Sequence, residues 1–119
     1  MNYYVDVILP LPLKGTFTYE LSQDEFNKLE IGFRVAVSFG KRKVYTGIVN
    51  ELHNSKPKSY ETKPIEFIYD DKSLVSQNQI DFWNWLSRYY FVPIGDVMKA
   101  AVPSTFLLES DSLIIKKEI

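Results

Sequence analysis

Cysteine is absent from this 119-residue chain, and histidine occurs once, at His53. Without cysteine there are no disulfides and no thiolate metal sites, a composition that fits a reducing cytoplasm. A lone histidine with no cysteine partners does not make a metal site either. The sequence contains no G-x-x-x-x-G-K-[ST] phosphate loop and no G-x-S-x-G elbow, and no nucleophile stands beside a recognisable base. Its apolar runs are too short to span a bilayer, and the N-terminus lacks a cationic stretch followed by an apolar one. Catalysis, a cofactor, a metal and a membrane partner are therefore not expected of these residues.

What is present is globular. Apolar residues make up 45% and charged residues 24%, which suits one domain or one domain with a small appendage. An aromatic share of 15% is high for so short a chain and exceeds what one small core needs. The net charge of −1 argues by itself against nucleic acid. Its distribution is uneven, however. Residues 34–63 hold seven basic side chains against two acidic ones, a local +5, whereas residues 65–119 carry five against eight, a local −3. Such polarity suits a small phosphate-contacting patch, and suits a solvated loop face equally well.

Periodicity predicts the elements. Tyr3, Val5, Val7 and Leu9 alternate with Tyr4, Asp6 and Ile8 as a half-buried strand, which Pro10 and Pro12 end. Phe17, Tyr19 and Leu21 make a second strand after the Lys14-Gly15 turn. Ser22 and Glu25 then form a capping box for a short helix through Leu29. Val35, Val37 and Phe39 give a third strand and residues 44–52 a fourth, joined by the basic turn Gly40-Lys41-Arg42-Lys43. Gly47 predicts a bulge or bend within the fourth. Residues 53–64 read as a mobile surface loop, and residues 66–69 as a short fifth strand. Asp70 and Asp71 read as a turn.

Ser76 and Gln79 predict a second capping box, with Val75 as its staple, for a helix over 77–90. On that helix Phe82, Trp83, Leu86 and Tyr90 are expected to face the core, Asp81, Asn84 and Arg88 the solvent, and Trp85 the rim. Pro93 suits the first position of another helix carrying Ile94, Val97, Met98 and Ala101. Leu113 to Ile115 reads as the start of a further strand. The fold class expected is mainly β with α (α+β): a small OB-like or SH3-like barrel over 1–70, a two-helix portion over 71–105, and a linker or the start of a next domain over 106–119. The chain reads as a fragment of a longer protein.

Each candidate site residue has two readings. Phe17 follows a turn, where an aromatic can leave the core and stack on any base, with the Thr18 hydroxyl beside it; or Phe17 is core, alternating with Tyr19. Gly40 with Lys41 is a hairpin turn, or a place where a nucleotide approaches exposed N–H groups. Lys63 is a solvated lysine before Pro64, or fixes a terminal phosphate or sugar.

Taken together, the separated stretches Thr16-Phe17-Thr18-Tyr19, Arg34-Val35-Ala36-Val37-Ser38-Phe39-Gly40-Lys41 and Tyr89-Tyr90-Phe91-Val92-Pro93-Ile94-Gly95-Asp96-Val97 stand in order behind Val5-Asp6-Val7-Ile8-Leu9-Pro10-Leu11-Pro12-Leu13. This arrangement resembles the N-terminal DNA-binding domain of the PriA (primosomal protein N′) replication-restart helicases, over residues 3–107. The resemblance implies a pocket for the 3′-terminal nucleotide of the nascent leading strand at a stalled fork. It carries Phe17, Thr18, Gly40 and Lys63 over as that pocket, and Lys41, Arg42 and Lys43 are candidates for additional phosphate contacts. Relatives often have aspartate after the phenylalanine, where this chain has Thr18. The partners implied are single-stranded 3′ ends and forked DNA, other domains of the same helicase, and replication-restart proteins. An ATP-dependent 3′–5′ helicase of the cytoplasm is implied for the complete protein. ATP with Mg and zinc would then belong to sequence beyond these residues. The alternative is a protein-interaction barrel that docks through the Trp85 face and the acidic C-terminal half.

Overall fold

The computed structural model describes residues 2–40, 43–58, 60–70 and 72–103; Lys41, Arg42, Asp71 and the strand expected at 113–115 lie outside them. Alternating side chains build the sheet. In β1 (Tyr3–Ile8), Val5 and Val7 enter one apolar core while Ile8 enters another on the opposite face. A strand buried on both sides belongs in the middle of a sheet. It pairs antiparallel with β2 (Phe17–Leu21) on one side and β4 (Val44–His53) on the other. β4 pairs in turn with β3 (Arg34–Ser38), and β3 with the two-residue β5 (Phe67–Ile68), giving the order β2-β1-β4-β3-β5.

The two edges come close to meeting. Glu20 N–H of β2 donates to the Lys63 carbonyl at 2.9 Å, and Glu66 N–H donates to the Ala36 carbonyl of β3 at 2.8 Å. One short stretch therefore lies against both edge strands, and the sheet curls into a half-barrel. Its interior is filled by Val5, Val7, Tyr19, Phe33, Val35, Val37 and Val49. The fifth strand is shorter than the four residues expected, because only Phe67 and Ile68 remain in register with β3.

Gly47 does not mark a bulge. It sits in regular register opposite Val35, and a Cβ there would lie 2.3 Å from Val7 Cγ1. Close approach of β1 is what requires glycine. The irregularity falls three residues later: Asp6 pairs with Glu51 and Val7 with Val49, leaving Asn50 as the extra residue.

Among the described residues there are three helices, α1 (Gln23–Lys28), α2 (Gln77–Tyr90) and α3 (Ile94–Ala101). Both expected capping boxes form, Ser22 with Glu25 and Ser76 with Gln79. Val75 at N′ and Ile80 at N4 are buried together, as a staple requires. Pro93 occupies the N-cap of α3, one position earlier than expected. The helices α2 and α3 pack on the outer face of the sheet through Ile80, Trp83, Ile94 and Met98 against Ile8 and Ile48.

The buried face of α2 differs from the expected one. Trp83 is buried as anticipated, but Phe82 is 55% and Tyr90 61% exposed, and Ile80 takes their place in the core. Asn84, expected in solvent, turns inward and donates to Asn50 Oδ1 at 3.0 Å and to the Ile80 carbonyl at 2.9 Å. The helix bears two apolar stripes, and the extra residue at Asn50 offers a polar partner that selects the Ile80–Trp83 stripe. Trp85 lies half-exposed at the rim, stacked between Phe82 and Tyr89. Asp70 does more than turn the chain. Its carboxylate takes Arg34 in a bidentate pair, with Nη2 at 2.8 Å and Nε at 3.1 Å, and also accepts from Arg34 N–H.

Candidate functional site

The half-barrel is open at the end where β2 begins and β3 finishes, and there a hollow of about 320 Å3 is formed. Three separate segments line it: Phe17, Thr18 and Tyr19 from β2, Ser38, Phe39 and Gly40 from the end of β3, and Tyr60, Glu61 and Lys63 from the loop before β5. All four residues singled out in the sequence, Phe17, Thr18, Gly40 and Lys63, border this one space. Lys43 does not, although it is exposed and lies over the Tyr45 ring at 6.0 Å. Lys41 and Arg42 are outside the described residues.

Phe17 is half-buried, packed on the core and bordering the hollow at once. Its edge packs on the core side against Phe39 with ring centroids 4.7 Å apart, and Tyr60 stands 6.4 Å away across the opening. An aromatic face at such an opening can carry a flat ring without regard to its identity. Gly40 follows β3 at φ 73°, a left-handed conformation natural to glycine at a tight turn, and Phe39 N–H closes that turn on the Lys43 carbonyl at 3.0 Å. Among the described residues a Cβ on Gly40 would meet nothing within 4 Å, so none of them covers the backbone there.

Tyr19 forms the floor. Its hydroxyl donates to the Ser38 carbonyl at 2.7 Å, which ties β2 to β3 across the hollow. Burial, reinforced by neighbouring Tyr60, pushes its pKa far above the ordinary phenol value, so it stays protonated and donating.

Thr18 is held on two sides. Its N–H donates to the Tyr60 hydroxyl at 2.8 Å, and its own hydroxyl donates to Asp6 Oδ1 at 2.6 Å. Asp6 also meets His53 Nε2 at 2.8 Å, while His53 Nδ1 accepts from Ser55 N–H at 3.0 Å. That acceptor role puts the ring proton of neutral His53 on Nε2, facing Asp6. The one hydrogen of the Thr18 hydroxyl is thus committed, and toward any ligand Thr18 Oγ1 can only accept. An acceptor-only oxygen is what a carboxylate would offer at the same position.

The mouth carries opposite charges. Lys63 and Glu61 are both exposed, and Glu61 lies 3.5 Å from Lys56 Nζ. Arg34 is paired with Asp70, so the basic excess of residues 34–63 is smaller in space than in sequence. Sequence reasoning missed Tyr60, Phe39, Ser38 and Glu61. Tyr60 had one signal, a single aromatic in an otherwise polar loop. Among the described residues no group of three or more His, Cys, Asp or Glu side chains gathers to hold a metal, and no helix is long and apolar enough to cross a membrane.

Known proteins are similar to this chain in sequence. The PriA family model described as 3′ DNA-binding domain (3′BD) matches residues 6–103. The chain is 30% identical over 115 residues to replication restart protein PriA of Buchnera aphidicola subsp. Acyrthosiphon pisum, covering 97% of this chain and 15% of that protein. It is 25% identical to the PriA of Treponema pallidum, over 87% of this chain and 16% of the relative. With the PriA of Haemophilus influenzae the identity is 31%, over 83% of this chain and 13% of the relative. The chain therefore spans about one seventh of the length of these curated relatives. By the extent of the family match, this chain belongs to the PriA 3′ DNA-binding domain family.

Proposed function

We propose that this domain binds DNA by accepting the 3′-terminal nucleotide of a strand into the hollow at the open end of the half-barrel. One observation carries the reading: Phe17, Thr18, Gly40 and Lys63, drawn from three distant segments, border a single space of nucleotide scale. The base stacks on the face of Phe17, which contributes about 1–3 kcal/mol independent of base identity. The free 3′-hydroxyl donates to Thr18 Oγ1, whose own hydrogen is held by Asp6. Lys63 meets the phosphate on the 5′ side, and the bare backbone at Gly40 lets the sugar approach. Glu61 at the rim repels a further phosphate, so a strand end fits better than an internal nucleotide.

The complete protein would then be an ATP-driven 3′–5′ helicase of the cytoplasm that restarts stalled forks with other replication-restart proteins. Its ATP, Mg and zinc sites would lie in sequence beyond this domain. A second reading, protein docking through the stacked Phe82, Trp85 and Tyr89 face, has the exposure of those rings in its favour.

Fluorescence anisotropy with short single strands tests the first reading. Oligonucleotides ending in a 3′-hydroxyl should bind more tightly than the same strands ending in a 3′-phosphate, and Phe17→Ala should weaken the former by about 1–3 kcal/mol. Equal binding of the two ends would defeat it. Chemical-shift mapping separates the readings, since DNA should perturb Phe17, Gly40 and Lys63 and leave Trp85 alone.

A further inference from the structure

A second opening, a groove of about 840 Å3, lies on the helix-covered side of the sheet. It runs between the β1–β2 connection, with Lys14 and Thr16, and the α2–α3 turn, with Arg88 and Phe91. Thr16 lines the groove and Phe17, the next residue, lines the hollow, so the two openings approach each other at the start of β2.

Phe91 is the unusual residue there. It follows α2 in the left-handed conformation, φ 57° and ψ 38°, the only described residue other than glycine with positive φ. Glycine is the common choice at such a helix end, because a Cβ is strained there. The ring is 93% exposed, so no burial offsets the strain. Ser87 fixes the turn: its carbonyl accepts from the N–H groups of Phe91 and Val92, and its hydroxyl donates to the Val92 carbonyl at 2.5 Å. A bulky aromatic held against its backbone preference, with its face in water, is unexplained by folding and suits a stacking platform. Exposed cations stand on both walls, Lys14 on one and Arg88 on the other. Among the described residues no acidic side chain lines the groove. An exposed aromatic face beside Arg88, with Lys14 on the facing wall, matches a nucleotide chain better than it matches an apolar peptide.

We propose that this groove is a second nucleic-acid subsite, in which a base on the 5′ side of the terminal nucleotide stacks on Phe91 while its phosphates meet Lys14 and Arg88. The proposal rests on the reading of the hollow as a 3′-end pocket, and the two are separable by experiment. Single strands of two and of six nucleotides, each ending in a 3′-hydroxyl or a 3′-phosphate, are titrated against the domain and its Phe91→Gly and Lys14→Gln/Arg88→Gln variants. The six-nucleotide strand should bind the unaltered domain more tightly than the dinucleotide. Phe91→Gly should remove about 5- to 100-fold of the longer strand's affinity and leave the preference for a 3′-hydroxyl intact. The same variant should raise Tm by about 5 °C as the strain is relieved, so lost binding is not lost folding. Phe91→Asn, which tolerates the same backbone, serves as a second variant with the same binding outcome expected. A longer strand bound equally by all variants would overturn the subsite and spare the hollow. Length dependence and Phe91 sensitivity without any preference between the two 3′ ends would overturn the hollow and keep the groove as a strand-binding surface.

Discussion

Thr18 shows how a neighbour can change what a side chain offers. A free threonine hydroxyl both donates and accepts, which would let it bind a 3′-hydroxyl or a 3′-phosphate indifferently. With its hydrogen held by Asp6 at 2.6 Å, it becomes an acceptor polarised by a carboxylate. Asp6→Ala should remove that acceptor and free the threonine hydrogen for the ligand. We expect the preference for a 3′-hydroxyl end over a 3′-phosphate end to shrink by about 1 kcal/mol, or some fivefold, in paired anisotropy titrations. An unchanged ratio would mean that Thr18 Oγ1 does not face the terminal sugar. At this scale the sequence was partly readable. Phe17, Gly40 and Lys63 each allowed a plain structural reading from position alone, and the family resemblance is what singled them out. Asp6 and Tyr60 gave no such sign. The first looked like the polar half of an alternating strand, and the second belongs to a loop without periodicity, so only cross-strand register and loop closure join them to Thr18.

The elements divide in the same way. Capping residues act over three or four positions, so both boxes could be read directly and α2 begins and ends where the pattern says. Which face of α2 is buried depends on a partner more than thirty residues away, and there the local pattern misled. Helix α3 is set by contact of backbone with backbone. A Cβ on Gly95 would lie 2.1 Å from the Leu9 carbonyl oxygen and 2.3 Å from that of Leu11. Gly95→Ala must therefore push the start of α3 off the β1–β2 connection, and backbone atoms cannot swing aside as a side chain would. The expected cost is about 3 kcal/mol in a denaturant titration. Because the same connection carries Lys14 and Thr16, the variant should also weaken binding of longer single strands. A neutral Gly95→Ala would show that α3 packs less closely than described.

At the scale of the molecule, two bulk responses follow from few local groups. Tyr19 has its pKa raised by burial, so the folded state holds its proton more tightly than the unfolded chain does. Its contribution to stability is complete below the unfolded value near 10 and declines as pH rises above it. Tyr19→Phe should lower stability by about 1 kcal/mol near neutrality and flatten the fall in Tm above pH 10. Salt should act gently. With Lys63, Lys14 and Arg88 as the phosphate contacts, the slope of log affinity against log salt for a single strand should be about −2. A slope beyond about −4 would require a wider basic track than the hollow and groove supply. The curled sheet itself was foreseeable from five short alternating strands, but not where its edges converge. They converge at the hollow: Tyr60 and Lys63 are fastened to β2 by the N–H groups of Thr18 and Glu20, and Thr62 adds a bond to Glu20 Oε1 at 2.8 Å. A guest lodged at that clasp would brace the rim of the vessel that holds it, so occupancy and rigidity should rise together, visible as slower amide exchange at Thr18 and Glu20 when DNA is added.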